Sequence, residues 1–424
     1  LLDKNIFPRE QIGAICDSGQ WGCTVAVDKT GNPLMNVVSW MDTRGQPHVK
    51  KAMKGLINIS GYSIFNVLKW VPKTGGAPAL AGKDPIAHIL YIKNEHPEIY
   101  QQTYKFLEAK DYINLRLTGK FAASYDSIHL HWVTNINDLA NIHYESELIE
   151  KLGLDIEKFP DLIKSTDILG TLEPKVAQEL GLSPSTQVIC GSGDLQMAAI
   201  GSGAVKDYEG HIYVGTSAFL ICHVPFKKTD IFHNIASLPS ANPEKYFVAT
   251  EQDVAGAALT FIKDNIINRL LKEGEGIEYK DLDDIVAKVP PGSNNLIFTP
   301  WLYGERTPIE DHTVRGGLHN ISLKTTAEDM VRAVFEGVAL NARWVLHYVE
   351  KFIGGRILDP LTIIGGGAMS DVWCQIYADI LNRSIRRLKN PIGGNARGAA
   401  LVASGALGHI KRSEDHTSNL QSRP

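Results

Sequence analysis

The most constraining feature of this chain is the run QVICGSGDLQMAAIGSG at residues 187–203. Its apolar start, residues 188–190, predicts a buried parallel strand. Gly191 and Gly193 allow a tight turn after that strand, and a helix is predicted from about Asp194 onward. Open α/β sheets place their chemistry at the carboxyl ends of parallel strands, and helix amides can keep a carboxylate ionised there. The alternative is that Asp194 only caps the helix, and the run taken alone favours that alternative.

Two further glycine turns lie in the second half of the chain. Residues 211–221 predict a β-hairpin with Gly215, Thr216 and Ser217 at its tip, where hydroxyls and free amides suit phosphate oxygens. Residues 361–364 predict a strand that runs into three glycines and then a helix, so a ligand can approach the backbone closely. Neither turn has the Rossmann or P-loop pattern. Each is also explained by ordinary turn and packing requirements.

Small residues recur in the segment GGNARGAAL at residues 393–401. Glycine and alanine at helical spacing allow a helix to approach its neighbour closely. We therefore expect a mainly structural role for this segment.

Composition excludes several classes of protein. The net charge of −4 gives no basic footprint for nucleic acid. The five cysteines are scattered and odd in number, which predicts a reducing, cytoplasmic compartment without a disulfide framework. They also lack the spacing of a metal site, and no apolar run is long enough to cross a membrane. A globular enzyme that acts on a small molecule fits these observations.

The order of the motifs resembles the FGGY family of carbohydrate kinases, and its xylulokinase-like members most of all. The resemblance covers residues 12–408 and rests on their shared order, because each motif is weak alone. The motifs are WMDTR at 40–44, KDY at 110–112 with LTG at 117–119, GSGD at 191–194, GTS at 215–217, GERTP at 304–308, RAVFEG at 332–337 and GGGA at 365–368.

This resemblance implies an α/β fold with two actin-like (RNase H-like) domains and an active-site cleft between them. The implied reaction is phosphoryl transfer from ATP, with Mg²⁺ held mostly by phosphate oxygens and water, and Asp194 accepts the proton of the acceptor hydroxyl. The residues implied to bind the nucleotide are Gly215, Thr216, Ser217, Gly256, Gly366, Gly367, Ala368 and, more weakly, Asp371. Glu305 and Arg306 are expected to form an internal ion pair rather than to act in catalysis.

The acceptor is expected to be a small sugar or polyol, with a pentulose such as xylulose as the first choice. Substrate contacts are predicted at Gln20, Trp21, Trp40 and Asp42, in addition to Asp194, although Trp40 and Asp42 are equally explained as a core residue and a turn residue. Gln20 and Trp21 match neither the Arg-Glu of glycerol kinases nor the Met-His of xylulokinases. Leu195 stands where the family usually has an amide. These departures predict an unusual sugar, and a homodimer remains open as the assembly.

We expect residues 1–204 to form a sugar-binding domain and residues 205–424 a nucleotide-binding domain. The family's opening Asp-x-Gly-Thr/Ser hairpin is not found before Gln20, so we expect the first sheet to lack its opening strands. The polar tail at 411–424 is expected to be frayed. Residues 57–84 predict loops, residues 84–104 a helix interrupted at Pro97, and residues 327–352 one long helix.

Two alternatives stay open at this point. The chain could be a catalytically inactive relative that binds a sugar or nucleotide in a regulatory role, which the missing hairpin favours and the intact Asp194 opposes. It could also be a hydrolytic ATPase of the actin-like superfamily, although Trp40 and the long first-domain segments fit a small substrate better.

Overall fold

The computed structural model describes residues 7–59, 61–270 and 276–410. The predicted frayed tail at 411–424 lies outside the described residues. Between Phe7 and β1, the first strand at Ala14–Gly19, the chain forms a 3₁₀ turn at Arg9–Gln11.

The first half of the chain alternates short strands and helices, in the following order. The elements are β1 (Ala14–Gly19), β2 (Val25–Val27), α1 (Gln46–Met53), β3 (Asn58–Ile59), β4 (Tyr62–Ser63), α2 (Ile64–Thr74), α3 (Pro85–Glu95), α4 (Pro97–Gln102), β5 (Lys105–Leu107), α5 (Ala109–Thr118), β6 (Ala122–Ser124), β7 (Thr134–Asn135), β8 (His143–Tyr144), α6 (Ser146–Lys151), β9 (Asp161–Ile163), β10 (Ile168–Thr171), α7 (Pro174–Leu180), β11 (Gln187–Gly193) and α8 (Asp194–Ser202).

The second half begins with a hairpin and contains the longest described helix. The elements are β12 (Gly210–Val214), β13 (Ala218–Val224), β14 (Thr229–Asp230), β15 (Ile235–Pro239), β16 (Tyr246–Ala249), α9 (Gly256–Ile262), α10 (Asn268–Leu270), α11 (Tyr279–Val286), β17 (Ile297–Thr299), β18 (Gly317–His319), α12 (Ala327–Phe352), β19 (Leu361–Ile364), α13 (Asp371–Leu381), β20 (Ile385–Arg387) and α14 (Gly394–Ala406).

The first main sheet has three strands in the order β1-β11-β10 among the described residues. β1 runs parallel to β11, and the last pair in register is Gly19 with Gly193. α5 packs on one face of this sheet, where Asn114 donates a hydrogen bond of 2.7 Å to the Cys190 carbonyl. β11 is therefore the buried parallel strand that residues 188–190 predict.

The second main sheet has seven described strands in the order β14-β15-β16-β13-β12-β19-β20. β12 and β13 form the predicted hairpin, and β19 runs parallel to β12. α12 covers this sheet through a fully buried apolar face that includes Val338 and Val345. It has the predicted bounds because Thr326 and Asp329 form a capping box at its start.

α8 and α14 cross at very short range. A Cβ on Gly201 would lie 1.8 Å from the Gly394 carbonyl oxygen, and one on Gly398 would lie 2.0 Å from the Met197 carbonyl oxygen. The close packing expected of residues 393–401 is therefore confirmed. α14 also packs against β1, so a helix from the end of the chain covers the first sheet.

Apolar side chains from both halves meet beside the start of α8. Trp21 and Leu195 from the first half pack in one cluster with Phe219 and Phe247 from the second. The ring centroids of Trp21 and Phe247 are 6.4 Å apart. This contact brings the carboxyl end of β11 close to the second sheet.

The segment at 57–84 differs from its predicted loop structure. It contains the β3-β4 hairpin and the eleven-residue helix α2, which buries Trp70 and ends at Gly75 in the left-handed conformation. The predicted break at Pro97 is confirmed, since α3 ends at Glu95 and Pro97 begins α4.

Candidate active site

Asp194 lies where the first sheet ends and α8 begins. β11 ends at Gly193, and Asp194 is the first residue of α8. Gly191 has a φ of +69°, a conformation that favours glycine, and it turns the chain before the helix. One carboxylate oxygen of Asp194 accepts a hydrogen bond of 2.9 Å from the Leu195 amide. The predicted strand, turn and helix are thus confirmed.

The surroundings of Asp194 favour a carboxylate that changes protonation near neutral pH. Burial raises the pKa of Asp194 to about 6, although backbone hydrogen bonds from Leu195, Trp21 and Asp194 itself oppose this rise. The nearby negative charge of Glu251 raises this pKa further. A carboxyl group with such a pKa is ionised at physiological pH and basic enough to accept a proton.

Trp21 covers the turn from one side. A Cβ on Gly193 would lie 3.2 Å from the Trp21 Cβ, so the absence of a side chain there lets the indole approach. The carboxylate of the buried Glu108 holds the adjoining backbone by accepting hydrogen bonds from the amides of Gly22, at 3.1 Å, and Cys23, at 2.9 Å. Gln20, the next predicted substrate residue, is exposed at the edge of this segment.

Trp40 and Asp42 lie beside the same segment. A Cβ on Gly22 would be 3.4 Å from the Trp40 Cβ, which places Trp40 against the residue that follows Trp21. The Asp42 carboxylate is engaged by Arg44, whose Nε lies 2.9 and 3.0 Å from its two oxygens. This ion pair lowers the pKa of Asp42. Asp42 therefore holds Arg44, a partner that the sequence analysis did not assign to it.

The Gly215-Thr216-Ser217 tip packs on the start of α9. The Gly215 amide donates to the Ser217 carbonyl at 2.9 Å, which closes the tip of the hairpin. The amides of Ala255 and Gly256 then donate to the carbonyls of Thr216 and Gly215 at 2.9 and 2.8 Å. A Cβ on Gly256 would lie 2.5 Å from the Gly215 carbonyl oxygen, so glycine is needed at this contact.

The second glycine turn lies next to that hairpin. A Cβ on Gly367 would be 2.5 Å from Cγ1 of Val214, the residue that precedes Gly215. Gly366 has open space where a side chain would be, whereas Ala368 is fully buried and can offer only its backbone. Asp371 begins α13 and forms an ion pair with Arg387. The turns that carry the predicted nucleotide residues are therefore in contact with one another, and Asp371 is engaged by Arg387.

Tyr213 lies between Asp194 and the hairpin tip. A Cβ on Gly215 would lie 2.6 Å from the Tyr213 ring. Burial, and then the charge of Asp194, raise the pKa of the Tyr213 phenol. Behind it, Ala198 of α8 packs with Ile364 at the end of β19. The Asp194 turn and the two glycine turns are thus neighbours in space.

The expected ion pair between Glu305 and Arg306 is wrong, because the Arg306 guanidinium has other partners. Arg306 pairs with Glu251 and with Asp253, whose Oδ1 lies 3.3 Å from its Nη2. Glu305 accepts hydrogen bonds from the Arg306 amide at 2.9 Å and from the side chain of Asn341. No local sequence pattern predicts these partners, because Glu251 and Arg306 are 55 residues apart in the chain.

The described part of the chain has neither a metal-binding cluster of side chains nor a membrane-spanning helix. Within residues 7–59, 61–270 and 276–410, no group of three or more His, Cys, Asp or Glu side chains could hold a metal ion. In the same residues, no helix is long and apolar enough to span a membrane.

Comparison with known proteins identifies relatives along nearly the whole chain. The profile of the FGGY family of carbohydrate kinases, N-terminal domain, matches residues 1–201, and that of its C-terminal domain matches residues 210–407. A xylulose kinase of Staphylococcus epidermidis is 30% identical over 98% of this chain and 78% of its own length.

Solved structures of carbohydrate kinases also match nearly the whole chain. The crystal structure of a gluconate kinase from Lactobacillus acidophilus is 25% identical and covers 99% of this chain and 80% of that chain, with a TM-score of 0.84. A xylulose kinase from the same organism is 24% identical and has the same TM-score and coverage. These matches confirm the expected fold, with two actin-like α/β domains and a cleft between them.

Proposed function

This chain belongs to the FGGY family of carbohydrate kinases, and from that premise we propose that it transfers the terminal phosphoryl group of ATP to a hydroxyl of a pentulose such as xylulose. The observation that carries this proposal is the position of Asp194 beside Tyr213, directly next to the glycine-lined surface around Gly215. A proton acceptor and a surface for phosphates are thereby neighbours. The similarity to a xylulose kinase supports the choice of sugar.

The two halves of the chain have separate tasks in this proposal. Residues 1–204 bind the sugar and residues 205–424 bind the nucleotide. The apolar contact between Trp21 and Phe247 then forms part of the floor between the two substrates. The crossing of α8 with α14 joins the halves behind the site.

ATP fits the glycine-lined surface on physical grounds. Thr216 and Ser217 offer hydroxyl groups at a tight turn, and Gly366 leaves open space for an adenosine group to approach the backbone. When bound, Mg²⁺ neutralises phosphate charge, and we propose that phosphate oxygens and water supply most of its ligands. Gly256 and Gly367 contribute by keeping the turns packed together.

Asp194 acts on the sugar in this scheme. Its carboxylate accepts the proton from the attacking hydroxyl, while positioning supplies most of the remaining rate enhancement. Gln20, Trp21 and Trp40 form the sugar-facing surface, in which the aromatic faces suit the C–H groups of a sugar. Asp42 contributes through Arg44, which it holds at the edge of this surface.

The first experiment identifies the acceptor and tests the base. ADP release is measured over pentuloses, hexuloses, polyols and aldonates, and xylulose is expected to give the highest kcat/KM. With the best acceptor, Asp194→Asn is expected to lower kcat by roughly 10²–10⁴, the usual contribution of a positioned general base. ATP binding should persist, because its contacts lie mainly in the second half of the chain.

Asp281→Asn is the matched control. Asp281 is also a first-turn aspartate, and its side chain accepts a hydrogen bond from the Glu278 amide at the start of α11. If Asp194 were only a helix cap, the two variants would behave alike and keep near-normal turnover. An ADP-release screen without any active acceptor would instead favour a binding protein over an enzyme.

A further inference from the structure

Asp126 is a buried carboxylate directly behind the Asp194 turn. It is completely inaccessible to solvent, and its Oδ2 accepts a hydrogen bond from the hydroxyl of Ser192, two residues before Asp194. Its backbone carbonyl lies 3.5 Å from the side-chain nitrogen of Gln196, in the first turn of α8. Asp126 therefore contacts the turn on both sides of Asp194.

The next residue supports the other face of the same turn. The Ser127 carbonyl accepts a hydrogen bond of 2.6 Å from the indole nitrogen of Trp21. Trp21 in turn packs on Gly193, and its backbone amide hydrogen-bonds to the Asp194 carboxylate. One short loop thus holds the turn through Ser192 and holds the indole that covers it.

Burial of Asp126 has an energetic cost that its contacts offset only in part. Burial raises the pKa of Asp126 to about 6, while Ser192, Lys110 and Ser124 oppose the rise. A carboxyl group in such a place is unfavourable unless its hydrogen bonds are made. Because glycines stand on either side of Ser192, this serine is the one side chain before Asp194 through which the 191–193 segment can be held, and Asp126 is its partner.

We propose that Asp126 is a positioning residue, whose hydrogen bond to Ser192 fixes the 191–194 turn and thereby directs the Asp194 carboxylate at the acceptor hydroxyl. The inference rests on the proposed role of Asp194 as the base. A displacement of about 1 Å in a reacting group can lower a rate about 10²-fold. Loss of the Ser192–Asp126 bond is therefore expected to lower kcat by about 10- to 100-fold.

The test removes each side of this bond in the full chain. Ser192→Ala and Asp126→Ala should each lower kcat about 10- to 100-fold. The double variant should have about the same kcat as the less active of the two single variants, because both substitutions remove the same interaction. Asp126→Asn keeps an acceptor oxygen and should restore kcat to within about threefold of the wild-type value. ADP affinity, measured by calorimetry, should not change in any variant.

Ser165→Ala is the matched control for the loss of the Ser192 hydroxyl in Ser192→Ala. Ser165 is equally buried, and its hydroxyl donates a 2.6 Å hydrogen bond to the Ala241 carbonyl rather than to the 191–194 turn. The Ser165 backbone carbonyl accepts a hydrogen bond of 3.0 Å from the Gly191 amide, and Ser165→Ala keeps that contact. Its loss should leave kcat within about twofold. Ser192→Ala and Ser165→Ala are also made in the Asp194→Asn background, where Ser192→Ala should have almost no further effect on the residual kcat.

The outcomes separate this inference from the proposed function. A folded Ser192→Ala variant with kcat within twofold of wild type overturns the inference, and so does an equal loss of kcat in both backgrounds. Near-normal turnover of Asp194→Asn alone overturns the proposed base instead. If Asp126→Ala does not fold, Ser192→Ala and Asp126→Asn still decide the question.

Discussion

Gly398→Ala tests whether the crossing of α8 and α14 determines both stability and the position of Asp194. The added Cβ would lie 2.0 Å from the Met197 carbonyl oxygen. Real Cβ atoms keep about 3.0 Å from such an atom, so the two helices would have to separate by about 1 Å. Because the contact is with backbone, no side-chain rotation can relieve it.

Two opposing effects set the size of the loss. Alanine in place of glycine stabilises a helix interior by roughly 0.5–1 kcal/mol. Overpacking a close contact costs about 1–3 kcal/mol, and the upper end applies here because backbone atoms collide. The net result expected for Gly398→Ala is a loss of about 2 kcal/mol in the free energy of unfolding. For a domain of this size, that lowers Tm by about 4–8 °C.

Differential scanning calorimetry measures this shift, and Gly405→Ala is the control on the same helix. A Cβ on Gly405 would meet nothing closer than 3.9 Å, so helix propensity alone acts and Tm should rise slightly. Met197 lies three residues after Asp194 in α8, so Gly398→Ala should also lower kcat. Equal Tm shifts in the two variants would refute the reasoning.

Two further predictions concern charged groups. Because burial raises the pKa of Asp194 to about 6, a base at this position loses its ionised form below that pH. The kcat/KM for the sugar should then fall about tenfold per pH unit, and a flat pH–rate profile contradicts this. Arg306→Gln removes the guanidinium that pairs with Glu251 and Asp253 and should lower the free energy of unfolding by about 2–3 kcal/mol. This is less than for a fully buried pair, because the Arg306 side chain is 25% exposed and Lys83 also lies near Glu251. Denaturant titration measures the loss, and Glu305→Gln should cost less; an equal or larger loss for Glu305→Gln would contradict the assigned pairing.

The features that could be predicted from the sequence are those with local signals. Glycines flank the Asp194 turn and the Gly215 hairpin, and a turn needs such residues wherever the rest of the chain lies. The helix Ala327–Phe352 carries its own apolar periodicity and its own capping box. Pro97 ends one helix and begins the next because it lacks an amide hydrogen.

The features that could not be predicted depend on distant partners. Arg306 could pair with adjacent Glu305 or with Glu251, and only the fold decides between them. The helix Ile64–Thr74 contains Pro72 and is followed by two glycines, and its stability depends on tertiary burial of Trp70 rather than on propensity. Asp126 has no motif around it that links it to Ser192.

The structure explains why the Asp194 turn needs support from so many parts of the chain. Glycines at 191 and 193 let the backbone turn sharply, but they also remove the side chains that would hold it. Support must then come from outside: Trp21 covers Gly193, Asp126 binds Ser192, and Gly398 lets α14 pack against the first turn of α8. These contacts come from positions far apart in sequence, so the residues that make the turn and the residues that hold it lie in separate segments of the chain. A substitution in any one support should therefore lower kcat in a chain that still folds, which is the common expectation behind the Ser192 and Gly398 experiments.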